Sequence, residues 1–216
     1  MFRLGILSLA LIVAFGFGCA KKESTDNTHT HADGTVHEGD HAEAPEPAAS
    51  TPPAELEAGY VAQAGIAYKV PEGWLAETPS SSMRKAQYAL PSGIPDSKGE
   101  VTLFHFGAGG GGGVDANLRR WAGQFQQPDG SDPMKVAETE RMQVGEFRVS
   151  TIEVNGRYVS AMPGAPAYNE ENWRLIGAVI EGPGGPWFFK GVGPEEVMTS
   201  HRDSFLEMIR SAKRAS

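Results

Sequence analysis

No tryptophan, tyrosine or phenylalanine occurs between residues 20 and 59, and no apolar period runs through that stretch. A compact core needs large apolar side chains, so whatever folds here must be built from residues 60–216. Residues 20–59 are rich in Ala, Pro, Thr, Glu, Asp and His. They cannot bury enough surface to offset the entropy of ordering, and read as a disordered tether. As a flexible coil, a tether of this length has a root-mean-square span of about 35 Å. The chain of 216 residues therefore divides into a signal peptide at 1–18, a tether at 19–59 and one domain at 60–216.

The signal-peptide reading rests on Met1-Phe2-Arg3, which supplies one positive charge, and on the apolar run Leu4–Gly18 with small residues at its end. A transmembrane anchor is the alternative. The run would span about 22 Å as a helix, short of a ~30 Å hydrocarbon core. Cys19 follows directly and is the one cysteine in the chain, which excludes an intramolecular disulfide. Its position resembles the lipobox of bacterial lipoproteins, with Gly16-Phe17-Gly18 before it. The resemblance implies that Cys19 carries lipid and that the chain is anchored to a bacterial membrane outside the cytoplasm. Two or three acyl chains would make such an anchor stable, at about 0.8 kcal/mol per buried methylene. Without lipid, Cys19 is a free thiol of an ordinary secreted protein.

Formal net charge is −8, unevenly placed. Residues 20–59 hold nine acidic residues against Lys21 and Lys22, whereas residues 60–216 hold eighteen acidic against sixteen basic. A nearly neutral domain without a basic stripe argues against nucleic acid as a partner. Within the tether, HTHADGTVHEGDH places His29, His31, His37 and His41 among Asp33, Glu38 and Asp40. Neutral imidazole and carboxylate suit Zn²⁺, Ni²⁺ or Cu²⁺. His29, His31, His37, His41, Asp33 and Asp40 are thus candidate ligands for weak, adaptable metal binding, the bland alternative being a solvated polar linker.

In the domain, five consecutive glycines, Gly109–Gly113, precede an amphipathic segment. A phosphate loop would need Gly-Lys-Ser/Thr next, but Val114-Asp115-Ala116 follows. Asp115 fits a helix N-cap instead. Leu118, Trp121, Ala122 and Phe125 share one helical face, with Arg119, Arg120, Gln124 and Gln127 opposite. The run is expected to be a flexible strand-to-helix connector.

Alternation predicts strands at Ile66–Val70, at Ala86–Leu90 and at Val101–Phe106, the last apolar on both faces except at His105 and hence central. Asn155-Gly156 predicts a type I′ turn joining 147–154 to 157–161. A long loop at 162–172 leads to WRLIGAVIE, and the Gly/Pro turn at 182–185 reverses it into PWFFKGV. Pro194 opens one C-terminal helix, with Glu195 and Glu196 at its start and Arg210, Lys213 and Arg214 at its end. The expected fold class is α+β, a mostly antiparallel sheet of about six or seven strands flanked by two main helices.

YKVPEGW, the glycine-led helix, the paired hairpins, WFFKGVGP and the closing FLEMIRS resemble, in that order, the PsbP/Mog-type α/β/α sandwiches over residues 62–213. The resemblance implies a non-catalytic binding module, since that family includes extrinsic subunits of photosynthetic complexes and a small-GTPase-binding factor. It carries no ligand residue over to this sequence. His201-Arg202-Asp203 matches the kinase catalytic triplet, but Met208 stands where asparagine is needed. The expected function is a non-catalytic envelope lipoprotein presenting a binding or accessory domain to an envelope protein or complex. Arg119, Arg120, Gln124 and Tyr168 are the candidate partner surface. The alternatives are divalent metal capture by the tether and a hydrolase-type site assembled from separated residues.

Overall fold

The structure, a computed structural model, describes residues 57–95, 97–160 and 167–215. The signal peptide, Cys19 and the candidate metal ligands lie outside the described residues, as does the tether up to residue 56.

Two sheets form, every pairing antiparallel. The small one has the order β1 (Tyr60–Gln63), β2 (Ile66–Lys69), β11 (Lys213–Arg214). The large one is eight-stranded. It runs from β3 (Leu75–Ala76) through β4 (Arg84–Pro91), β5 (Lys98–His105), β10 (Trp187–Pro194) and β9 (Tyr168–Glu181) to β8 (Phe147–Ser160). On the outer edge of β8, β7 (Glu138–Val144) pairs along Phe147–Glu153 and β6 (Phe125–Gln126) pairs at Arg157 and Tyr158. The run from Val101 to His105 lies in β5, inside the sheet as its two-faced apolarity predicts, whereas Phe106 falls past the strand and is exposed.

Side chains alternate between two cores. Val101, Leu103, Ile176, Ala178 and Phe189 face α2 (Glu195–Ser200) and α3 (Arg202–Arg210), with Ile66 and Tyr68 closing one end. Ile152, Val154, Leu175, Val179 and Phe188 face Leu118, Trp121 and Ala122 of α1 (Val114–Ala122). A fully buried side chain such as Phe189 contributes about 1.5–3 kcal/mol over leaving it exposed. Tyr68 and Tyr88 satisfy each other, their hydroxyls 2.8 Å apart.

Five expectations need correction. The main sheet has more strands than six or seven: β7 joins its edge although three of its seven residues are charged and only Val144 is buried. Asn155-Gly156 makes no turn. β8 continues through it, paired to β9 on both sides of a bulge between Gly156 and Tyr158. Gly156 is needed there for close approach: a Cβ would sit 2.8 Å from the Gln126 carbonyl oxygen. Residues 168–172 belong to β9 rather than to a loop, since β8 supplies their hydrogen-bonding partner. The C-terminal helix is two: α2 stops at His201 and α3 restarts, while Lys213 and Arg214 enter β11. Finally, the N-cap of α1 is Gly113, with Asp115 in the first turn.

At the break, the His201 ring bridges two segments. Its Nδ1 accepts from Trp74 Nε1 at 3.1 Å, and its Nε2 meets the Pro91 carbonyl at 2.9 Å. His105 stacks on Trp187 and meets the Pro186 carbonyl. Among the described residues, no helix is long and apolar enough to cross a membrane.

Candidate functional site

The glycine run is a shaped wall, not slack chain. Gly111 sits at φ +80°, and a Cβ there would lie 2.5 Å from the Phe188 ring. The backbone is thus laid against an aromatic edge that only glycine permits. Asn117, buried one turn into α1, clamps the run. Its Nδ2 donates to the carbonyls of Gly111 at 2.8 Å and Gly113 at 2.9 Å, and its Oδ1 accepts from Arg120.

This wall and the start of α1 border two open grooves. The larger, about 810 Å³, lies between α1 and the β7–β8 pair and is lined by Asp115, Arg119, Arg141, Arg148, Ser150 and Glu181 among others. The smaller, about 610 Å³, is lined by Gly109, Gly110 and Gly112 with Glu146, Arg148 and Glu181. They share Gly113, Val114, Arg148 and Glu181. Arg141 donates to Asp115 at 2.7 Å and Arg148 to Glu181 at 3.4 Å, both pairs largely solvent-exposed. Such pairs are worth little to stability and remain able to exchange partners. Neither groove is lined by histidine or cysteine among the described residues. Three arginines against two carboxylates in the larger groove make a mixed-charge recognition surface rather than an anion cradle.

A second polar cluster forms just past the C-terminal end of α1. Lys190 of β10 donates to Gln124 Oε1 at 2.7 Å and to the Tyr158 hydroxyl at 3.1 Å. Gln124 Nε2 in turn donates to Ser160 Oγ at 3.3 Å. The nearby carboxylate of Glu100 is engaged by Arg84 at 2.8 Å. Burial, then the Arg120 guanidinium, push the Lys190 ammonium down. Glu100 opposes and Arg84 assists, leaving it at about 8. Tyr158 stacks on Trp173 at 5.4 Å and 3°, and Tyr168 packs against both rings.

On the opposite face, Glu153 is held between two arginines. Arg174 Nη2 lies 2.5 Å from one carboxylate oxygen, and Arg202 approaches both through Nε at 2.9 and 3.0 Å. Burial raises the Glu153 pKa, but the guanidiniums of Arg202 and Arg174 outweigh it and hold the carboxyl below its usual range.

The candidate partner-surface residues divide between the larger groove and the Lys190 cluster. Arg119 is exposed and lines the larger groove. Arg120 is tied to Asn117, Gln124 holds Lys190, and half-buried Tyr168 packs on its own sheet. The sequence reading missed Asn117, Arg141, Arg148, Glu153 and Lys190. Only Lys190 carried a signal, as a lone cation inside an apolar strand. Among the described residues no three His, Cys, Asp or Glu side chains gather as a metal site.

No protein-family model matches the chain. No curated protein matches it either. Among solved structures, it is similar to cyanobacterial PsbP (CyanoP) from Synechocystis sp. PCC 6803, at 13% identity and a TM-score of 0.42 over 69% of this chain and 86% of that one. It is also similar to PA94, a protein of unknown function from Pseudomonas aeruginosa, at 8% identity and a TM-score of 0.38 over 67% and 88%. Both likenesses concern the fold alone.

Proposed function

We propose that this chain presents its domain as a non-catalytic binding or accessory module, lipid-anchored through Cys19 to a bacterial envelope and engaging an envelope protein or complex. The observation that supports it is the larger groove, with Arg119, Arg141 and Arg148 exposed beside the glycine wall. Arginine at a pocket rim is an efficient anchor for a polar protein surface. The residues that give the fold its mass are engaged in packing, and the groove is lined by recognition groups rather than by a nucleophile with a base. A photo-crosslinking residue at Arg119 in intact cells is expected to give one reproducible protein adduct that the same residue at exposed Glu72 does not. Equal adducts from both positions, or none, would defeat the reading.

A second reading, divalent metal capture, rests on the tether sequence, where four histidines alternate with carboxylates over thirteen residues, His29 to His41. Calorimetry of a peptide covering 27–43 against Zn²⁺, Ni²⁺ and Cu²⁺ tests it. Heat at micromolar peptide that is abolished by replacing His29, His31, His37 and His41 with alanine supports capture, and the absence of heat ends it.

A further inference from the structure

Lys190 is unlike the other described lysines. It sits half-buried on a strand between the side chains of three other segments, and its two hydrogen-bond acceptors are neutral: the Gln124 amide oxygen and the Tyr158 hydroxyl. Lys98 and Lys213, by contrast, pair with Glu77 and Glu57. The charged groups around Lys190 are Arg120 from α1, Glu100 from β5 and Arg84 from β4, with the Tyr158 phenol from β8 beneath it. The β9 residue opposite is Gly177. Two cations and an already engaged carboxylate leave the ammonium without a counter-ion of its own. A neutral amine is the state that such surroundings favour.

We propose that the Lys190 amine is a carbonyl-binding site, condensing reversibly with a small aldehyde or ketone, with the Tyr158 hydroxyl relaying the protons. This goes beyond the groove and does not depend on it. In the addition, the Nζ lone pair forms a C–N bond to the carbonyl carbon, and the π electrons of C=O pass to oxygen. A proton leaves nitrogen and the new alkoxide takes one, so a neutral carbinolamine results. Protonation of its hydroxyl and loss of water then give the protonated imine, which returns that proton to reach the neutral imine, with no oxidant or reductant consumed. Tyr158 suits the relay because its hydroxyl lies 3.1 Å from Nζ and accepts from the ammonium or donates to the free amine. The indole of Trp173 and the ring of Tyr168 pack on Tyr158, whose hydroxyl they hold beside Nζ. Gln124 and Ser160 are half-buried rather than sealed.

Burial and Arg120 push the pKa of this ammonium down to about 8. At pH 8 about half of it is free base, against roughly 0.4% of an ordinary lysine. Incubating the full chain with propionaldehyde and cyanoborohydride traps each imine as a secondary amine, which peptide mass spectrometry reads site by site. At pH 8, Lys190 is expected to label at least about tenfold faster than Lys85, Lys98 or Lys135, with a rate midpoint near pH 8. Labelling no faster than those lysines, in protein whose circular dichroism is native, overturns the proposal, as does a midpoint shared with them. Because the native chain is read directly, the test does not depend on a variant folding. Tyr158→Phe keeps the ring and removes the relay. It is expected to slow Lys190 labelling several-fold, and an unchanged rate would overturn the part assigned to Tyr158.

Discussion

Replacing Glu153 by alanine removes the carboxylate that two arginines share. Arg174 Nη2 donates at 2.5 Å, the Arg202 Nε–H is shared between both carboxylate oxygens at 2.9 and 3.0 Å, and Arg202 Nη2 makes an ion contact at 2.7 Å, all to a side chain that is only 9% exposed. Breaking a buried ion pair from one side costs about 3–5 kcal/mol, because the remaining charge loses its partner. Here the side chain of Arg202 is 37% exposed and that of Arg174 20%. Arg202 can turn to water and Arg174 only in part, which places Glu153→Ala at the lower end, about 3 kcal/mol. Urea unfolding of the full chain at pH 7 reads this. With a slope of about 2 kcal/mol/M, the midpoint should fall by about 1.5 M at constant slope. The pH dependence supplies a second check. The folded pKa of Glu153 lies below its unfolded value, so its contribution is present above roughly pH 4.3 and is lost as pH falls through the folded pKa. The gap between the native protein and Glu153→Gln should therefore narrow as pH drops below about 4. A Glu153→Ala midpoint within ~0.3 M of native would refute the view that this carboxylate holds the two arginines in place.

Three further outcomes follow from the same geometry. Gly111→Ala combines a left-handed backbone with a ring contact, and is expected to cost about 2–4 kcal/mol, whereas Gly109→Ala, with open space around it, should cost only about 1. Thermal midpoints of the two variants decide whether the glycine run is shaped or slack, and equal losses would favour slack. Asn117→Ala leaves the Gly111 and Gly113 carbonyls without their side-chain donor, and is expected to lower stability by about 1–3 kcal/mol and to raise amide exchange at 110–114 selectively. The depressed Lys190 ammonium means that the unfolded chain binds more protons between about pH 8 and 10.4. Stability should rise with pH across that window and the rise should vanish in Lys190→Met, measured by urea midpoints at pH 7.5 and 10.

The strands that face two cores were legible because burial leaves a mark in composition. Val101–Phe106 and the pair closing at 182–185 carry apolar residues wherever the sheet demands them. β7 was illegible for the converse reason: it is an edge strand in which, apart from Met142 and Val144, the residues face solvent, so its membership depends on the β8 backbone beside it more than on its own side chains. Asn155-Gly156 shows a local signal outvoted by a distant one. The dipeptide is compatible with a turn, but a fourteen-residue β9 pairs across it: Gly156 itself pairs with Trp173, and the bulge follows, with two β9 residues opposite Arg157. Asn117 and Glu153 carry no sequence signature, because their partners come from a backbone loop in one case and from a strand and a helix far along the chain in the other.

The polar side of the sheet follows from how little α1 covers. Its nine residues span about 13 Å and shield β8, β9 and the adjoining side of β10 through Leu118, Trp121 and Ala122. Beyond that reach, the same face continues across β5 and β4 with no helix over it among the described residues, and its side chains must satisfy one another. They do so as a chain: Lys98 to Glu77, Glu77 to Gln87, Gln87 to Arg84 and Arg84 to Glu100. Lys190 stands at the seam between the covered and uncovered halves. With Glu100 already engaged, it turns instead to Gln124, the residue that follows the C-cap glycine of α1. Extending the helix would bury the strip and remove the reason for the network. Shortening it would wet Lys190 and return its amine to ordinary basicity. The unusual lysine is thus a consequence of where one short helix stops, and the same stop fixes which part of the face is open to a ligand.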